Sequence, residues 1–251
     1  MKPIEPKTPI SINDLEQLQE SMTRVSEDGK RYYQTPEGNK YPSVTTVTSL
    51  LTKDHIKLWR KRVGEEKANK ISAGAAKRGT RMHNIFETYL RGEEPVFFDN
   101  IMESSMFEAV VPVLDSILPI ALEAGMYSDS LQMAGQVDCV GVWGDELAII
   151  DFKTSSKPKE EYMADGWFHQ MTAYAIMVEE LTGEVIDTIV AVVGVDGGYC
   201  QVFEADPREY VDKLYGLRNQ YRTLLSQIAD LLIALSYPCL LYTSPSPRDR
   251  G

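Results

Sequence analysis

The stretch GQVDCVGVWGDELAIIDFKTS, from Gly135 to Ser155, constrains the fold more than any other part of the chain. Val137, Val140, Val142 and Trp143 precede Gly144-Asp145, and Leu147, Ile149, Ile150 and Phe152 follow it, a pattern of two strands joined by a two-residue turn. With that turn, Trp143 pairs with Glu146, and counting outward sets Asp138 directly across from Asp151. Cross-strand Cβ atoms lie roughly 4.5–5.5 Å apart, close enough for two carboxylates to share one cation. Side chains alternate along a strand, so Lys153 points the same way as Asp151.

Two carboxylates side by side repel, and one tends to protonate unless a cation lies between them. Oxygen ligands without thiolates favour Mg²⁺ or Mn²⁺. Such an ion polarises a phosphoryl oxygen and lowers the pKa of a bound water. Lys153 is placed to orient that water or to stabilise charge developing on phosphate. Phosphodiester hydrolysis is the chemistry this suits. A solvated strand face on which Asp and Lys alternate is the plainer alternative, and the hairpin alone leaves it open.

Two helices add candidates. From Thr80, the residues Met82, Ile85, Phe86, Tyr89 and Leu90 follow the spacing of a core-facing helix. His83 sits at the edge of that face, and Glu87, one turn on, is positioned to orient its imidazole. Gln170 and Tyr174 are one turn apart on a helix of roughly residues 160 to 182, with Trp167 on the same side. An amide, a phenol and an indole in a row suit hydrogen bonding to phosphate or base edges and stacking on an unpaired base. A helix half buried by Met171, Ala175 and Val178 explains the same pattern, and for Trp167 the two explanations stand level.

Gln136-Val137-Asp138, the hydrophobic hairpin and Ile150-Asp151-Phe152-Lys153 together resemble the PD-(D/E)XK nuclease core. Gly79-Thr80-Arg81-Met82-His83-Asn84-Ile85-Phe86-Glu87 resembles the histidine motif of its RecB-like branch, and Gln170-Met171-Thr172-Ala173-Tyr174 resembles that branch's QxxxY motif. Tyr41 to Val47 and Trp59-Arg60-Lys61-Arg62 are similar to the amino-terminal part of the mitochondrial genome maintenance exonuclease family and its phage homologues. The resemblance implies His83, Asp138 and Asp151 as metal ligands, with the Phe152 carbonyl as a further one. It implies Lys153 as the catalytic lysine, and Gln170 and Tyr174 as residues that position the strand. Glu123 matches a glutamate that the family often carries in the strand leading into its hairpin, as a ligand or a support.

The net charge of −11 argues against a polyanionic substrate until its distribution is considered. Between Lys53 and His83, ten Lys or Arg stand against three Asp or Glu. That stripe, including Arg60, Lys61, Arg78 and Arg81, ends at the histidine motif, where it can guide a phosphate backbone. Three cysteines at wide spacing make neither a disulfide framework nor the four-cysteine iron–sulfur site of some RecB-like relatives. No apolar run approaches a membrane span and the first residues read as neither signal nor transit peptide, so a soluble, intracellular protein is expected; the phage-like resemblance implies the cytoplasm of a bacterial cell or phage-infected host.

The element order predicts an α/β fold with a mixed β-sheet flanked by helices, and the resemblance implies a restriction-endonuclease-like core with an N-terminal helical extension. Residues 1–28 read as a mobile segment. Residues 29–235 read as one nuclease domain, with an N-terminal hairpin and basic helices over 29–120 and the catalytic core over 121–235. Helices are expected near 55–70, 80–91 and 101–118, the last with Leu118 on its apolar face and Pro112 in conflict with it. Strands are expected near 123–130, 135–143, 147–153, 186–193 and 199–203, and a last helix opens at Pro207. Residues 239–251 resemble the translation of a sequencing-library transposon adapter rather than natural protein.

The resulting expectation is a Mg²⁺-dependent exonuclease acting on single-stranded DNA ends or flaps, with replication or recombination proteins as partners. A structure-specific endonuclease and a non-catalytic single-strand-binding or recombination module are the alternatives.

Overall fold

A computed structural model describes residues 9–27, 29–94 and 98–236, so the adapter-like tail and the first eight residues lie outside the described residues. Five strands form the central sheet in the order β4 (Ile117–Ser128), β5 (Met133–Trp143), β6 (Glu146–Ser155), β7 (Thr188–Val195) and β8 (Tyr199–Ala205). Only β6 and β7 run parallel, joined through helix α6 (Asp165–Thr182); the other neighbours are antiparallel. The β5–β6 hairpin has the register expected from its turn, from Trp143↔Glu146 to Cys139↔Ile150. Gly144 supplies the positive φ (62°) that the turn requires.

Alternation in the strands feeds two cores. Ala148, Ile150, Phe152, Val190 and Val192 pack with Met82, Ile85 and Phe86 of α4 (Glu65–Leu90) and with Met106, Val110 and Leu114 of α5 (Ile101–Leu114). On the opposite face, Val137, Val140, Ile149, Ile189 and Ala191 pack with α6 and with Leu214 and Tyr221 of α7 (Val211–Ser236). Helices therefore cover both faces of a mixed sheet, the α/β sandwich expected. Gly141 lies under the β4 backbone, where an added Cβ would sit 2.7 Å from the Leu118 carbonyl oxygen. Because backbone cannot move aside cheaply, Gly141→Ala is expected to cost about 1–3 kcal/mol, measured as a lower denaturation midpoint with an unchanged slope.

The region ahead of the core departs from expectation. Residues 9–27 are folded rather than mobile: α1 (Leu15–Leu18) buries Leu15 completely, and β1 (Thr23–Glu27) joins β2 (Lys30–Gln34) and β3 (Lys40–Pro42) in a small antiparallel sheet. The segment is fastened by the Glu16 carboxylate, which accepts the Leu122 amide at 2.5 Å and pairs with Arg91. Tyr41 Oη donates to Asp129 at 2.6 Å, tying the small sheet to the β4–β5 turn. Next comes α2 (Val44–Thr48), capped by Ser43, whose side chain accepts the Thr46 amide at 3.1 Å.

Helix boundaries also shift. α3 (Lys53–Val63) stops at Gly64, which takes φ 91°, and α4 then runs unbroken through Gly74 and Gly79 to Leu90. α5 ends at Leu114, two residues beyond Pro112, so Leu118 belongs to β4 and is exposed. Among the described residues, no helix is long and apolar enough to cross a membrane.

Candidate active site

The β5–β6 ladder stops bonding one step before Asp138 and Asp151. In place of the next backbone bond, Phe152 N–H donates to Asp138 Oδ2 at 2.8 Å. The N–H and C=O of one strand residue point to the same edge, so the Phe152 carbonyl also lies on the edge facing β5. A second irregularity is the bulge between Pro119 and Ala121, after which Leu122 pairs with Cys139 and Ala124 with Val137. That shift sets Glu123 across from Asp138; without it Leu122 would hold the place.

Glu123 takes φ 51°, an unusual backbone for a residue with a side chain. On one side of it Leu122 and Cys139 pack with α4 and α5, and on the other Ala124 and Val137 pack with α6. The ribbon thus turns over at the Glu123–Asp138 pair, and side chains from both helical layers can reach it. His83, from α4, brings Nδ1 to 3.3 Å from Asp138 Oδ2. From α6, the Gln170 amide reaches Asp151 Oδ1 at 3.3 Å.

His83, Glu123 and Asp138 each offer a ligand atom within 4.8 Å of the others, the one such triad among the described residues. Asp151, a further ligand by the family resemblance, lies outside that triad. It is almost fully buried, and its oxygens turn to Lys153, as an ion pair, and to Gln170. Glu123, a ligand or a support by the family resemblance, stands in the triad. Glu87 does not orient His83: its carboxylate is taken by Arg91 Nε at 3.0 Å, while the imidazole turns to Asp138.

The electrostatics are those of crowded acids. Burial, then the charge of Asp138, pushes Glu123 up to about 7. Burial also raises Asp151 against the opposing pull of Lys153. Asp138 moves down, because His83, Lys153 and the Phe152 amide outweigh its burial. Burial opposes charging of His83 and Lys153, yet both are raised, His83 chiefly by Asp138 and Lys153 chiefly by Asp151.

His83, Glu123, Asp138 and Lys153 line a cavity of about 410 Å³ beneath the small sheet and α2, while Asp151 is buried next to it. Gln170 and Tyr174 line it, the Tyr174 ring lying against Gly135 where any Cβ would collide at 2.8 Å. Arg31, Ser43 and Thr45 also line it and were not singled out from sequence. The only available signal was that Tyr41 to Val47 matched a family segment. Trp167 packs beside Phe203, ring centroids 6.4 Å apart, and does not line the cavity.

The basic stripe is partly spent internally. Arg60 is held by Glu65 and Asn69, and Lys61 is exposed on α3, away from the cavity lining. Arg81 bonds Glu103 at 2.8 Å and Asp99 at 3.0 Å, and Arg78 bonds Asp196 at 3.4 Å, both beside a separate cavity of about 280 Å³. Arg78 and Arg81 therefore brace α4 rather than face the site.

A mixed sheet with helices on both faces, presenting opposed carboxylates and a lysine where its central strands part, defines a nuclease core of the restriction-endonuclease type. The chain belongs to the PD-(D/E)XK nuclease superfamily, whose sequence model matches residues 30–239. Human mitochondrial genome maintenance exonuclease 1 is 31% identical over 132 residues, covering 48% of this chain and 38% of that protein. The Xenopus tropicalis protein of the same name is 30% identical over 150 residues, covering 53% of this chain and 42% of that protein. The matches thus span about two fifths of the length of these relatives. The solved alkaline exonuclease of Laribacter hongkongensis is similar over 64% of this chain and 85% of that chain, at 14% identity and a TM-score of 0.35.

Proposed function

We propose that the chain is a divalent-metal-dependent deoxyribonuclease that trims single-stranded DNA ends or flaps. The observation that carries this is the convergence of His83, Glu123 and Asp138 beside the Asp151–Lys153 pair on one cavity. The donor set fits Mg²⁺ or Mn²⁺: nitrogen and oxygen ligands, no thiolate, and two carboxylates so close that one is held near neutrality without a cation. His83, Glu123 and Asp138 would hold the ion, with Asp151 and the Phe152 carbonyl adjacent. When bound, the ion polarises the phosphoryl oxygen and acidifies a water.

The remaining work falls to the protein's own side chains. Asp138 fixes the His83 tautomer and orientation through their contact. Lys153, held by Asp151, presents a fixed positive charge to a phosphate in the cavity and stabilises charge developing on its oxygens. Gln170 steadies Asp151 from behind, and Tyr174 forms the wall against which a sugar or base rests. A cavity of about 410 Å³ is in the range that encloses a small-molecule ligand, which suits an unpaired nucleotide better than a duplex. The relatives bearing an exonuclease name support action from an end, and their mitochondrial genome role suggests DNA as the substrate.

The test is degradation of end-labelled single-stranded, duplex and flap DNA with Mg²⁺ and with EDTA. Stepwise shortening of single-stranded ends, abolished by EDTA, is expected. Metal-independent cleavage would overturn the mechanism, and internal cuts in closed circles would overturn the requirement for an end.

Glu123→Gln gives a prediction with opposite signs. Removing a carboxylate crowded by Asp138 is expected to leave the EDTA-treated protein as stable as the parent or more so. The stabilisation conferred by Mg²⁺ should weaken, with affinity for the ion falling about 10–100-fold. Thermal melts with and without the ion measure both.

A further inference from the structure

The largest cavity among those described is a groove of about 670 Å³ running from the active-site mouth across the small sheet and α2 to α7. Arg31 and Thr45 line both the groove and the active-site cavity, so the two adjoin. Arg24, Lys30, Arg31 and Lys53 line it and no carboxylate does, in a chain of net charge −11. None of these four makes an ion pair among the described residues, unlike Arg60, Arg78 and Arg81. Lys30 instead lies 5.9 Å from the Tyr221 ring centroid. Folding leaves these charges uncompensated next to a site that handles phosphates, and exposed cations in an acidic protein attract a polyanion.

The two walls differ. Ser26, Thr46 and Ser49 add hydroxyl groups on the sheet and α2 side, while Tyr221, Leu224 and Ile228 of α7 make the other side apolar. A strand of DNA has that same division, phosphates along one edge and base faces along the other. We infer that this groove is the track for the single-stranded DNA segment leading to or from the active site, with Arg24, Lys30, Arg31 and Lys53 on its phosphates and the α7 face against its bases. The inference rests on the proposed nuclease activity and assigns the substrate path to the small sheet and Lys53 at the start of α3, rather than to the rest of the α3–α4 stripe.

The test uses the full chain carrying Asp151→Asn, to prevent cleavage, and a fluorescent oligo(dT) probe whose affinity is measured over a series of NaCl concentrations. Single-strand binding loses about 0.7 in the slope of log K against log salt for each phosphate contact removed. Adding Arg24→Gln, Lys30→Gln and Lys53→Gln together is expected to flatten the slope by about 2 and weaken binding tenfold or more at low salt. Each single change should flatten it by about 0.7, which keeps the test usable if the combined variant folds poorly. Lys213→Gln, exposed elsewhere on α7, should change neither quantity. An unchanged slope in the triple variant, while the chain without Asp151→Asn cleaves DNA, overturns the track and leaves the nuclease reading standing. Failure of the Asp151→Asn chain to bind, together with failure of the unsubstituted chain to cut, overturns both.

Discussion

Asp138→Asn is expected to reduce Mg²⁺-supported DNA cleavage by about 10³-fold or more while the protein stays folded. Asp138 is where three elements meet: β4 through Glu123, α4 through the 3.3 Å contact to His83, and β6 through the 2.8 Å bond from the Phe152 amide. Asparagine keeps the size and can still accept the Phe152 N–H, so the parting of β5 and β6 is preserved. It removes the negative charge, and with it a ligand for the ion and the group that holds His83 in place. Electrostatic groups acting at a developing charge are each worth 10²–10³ in rate, and here the loss extends to the ion itself. Initial rates on a labelled single strand, beside a circular dichroism melt, measure the effect. Activity within tenfold of the parent would remove Asp138 from the mechanism.

Lys153→Met is expected to lower kcat by about 10²–10³-fold with little change in KM or in affinity for the ion. Lys153 pairs with Asp151, which lies outside the His83–Glu123–Asp138 triad, so its removal leaves that triad intact. The expected split separates a side chain that stabilises developing charge from one that merely holds the strand. A rise in KM at constant kcat would assign Lys153 to binding. Methionine keeps the apolar stem volume, but Asp151 loses its cation while almost fully buried. Some loss of stability is therefore expected, because breaking a buried pair leaves one charge uncompensated.

Local signals made the catalytic hairpin legible from sequence. A Gly-Asp pair between two alternating runs sets a two-residue turn, and every pairing follows from it by counting. The register reached Cys139↔Ile150 as counted, with Asp138 and Asp151 next. His83, Gln170 and Tyr174 were reached by helical spacing and motif, and all three line the cavity.

What could not be counted depended on contacts between distant segments. The bulge after Pro119 decides which residue of β4 faces Asp138, and a proline in a strand signals an edge or irregularity without giving its offset. The partners of Arg78 and Arg81, namely Asp196, Asp99 and Glu103, come from outside α4, beyond what helical spacing can count. Trp167 shares a helical side with Gln170, yet packs on Phe203 because β8 lies beside that turn. The N-terminal segment reads as polar, and one completely buried leucine with one paired glutamate was too small a signal.

The proposed function requires the cavity between α4, α6 and the β5–β6 hairpin to hold the divalent ion used in cleavage. Anomalous diffraction from crystals grown with Mn²⁺ locates that ion. The predicted result is a peak at bonding distance from Asp138 and from His83 or Glu123, absent from crystals of Asp138→Asn. A catalytically active protein whose crystals place Mn²⁺ elsewhere and leave these residues without an ion would contradict it.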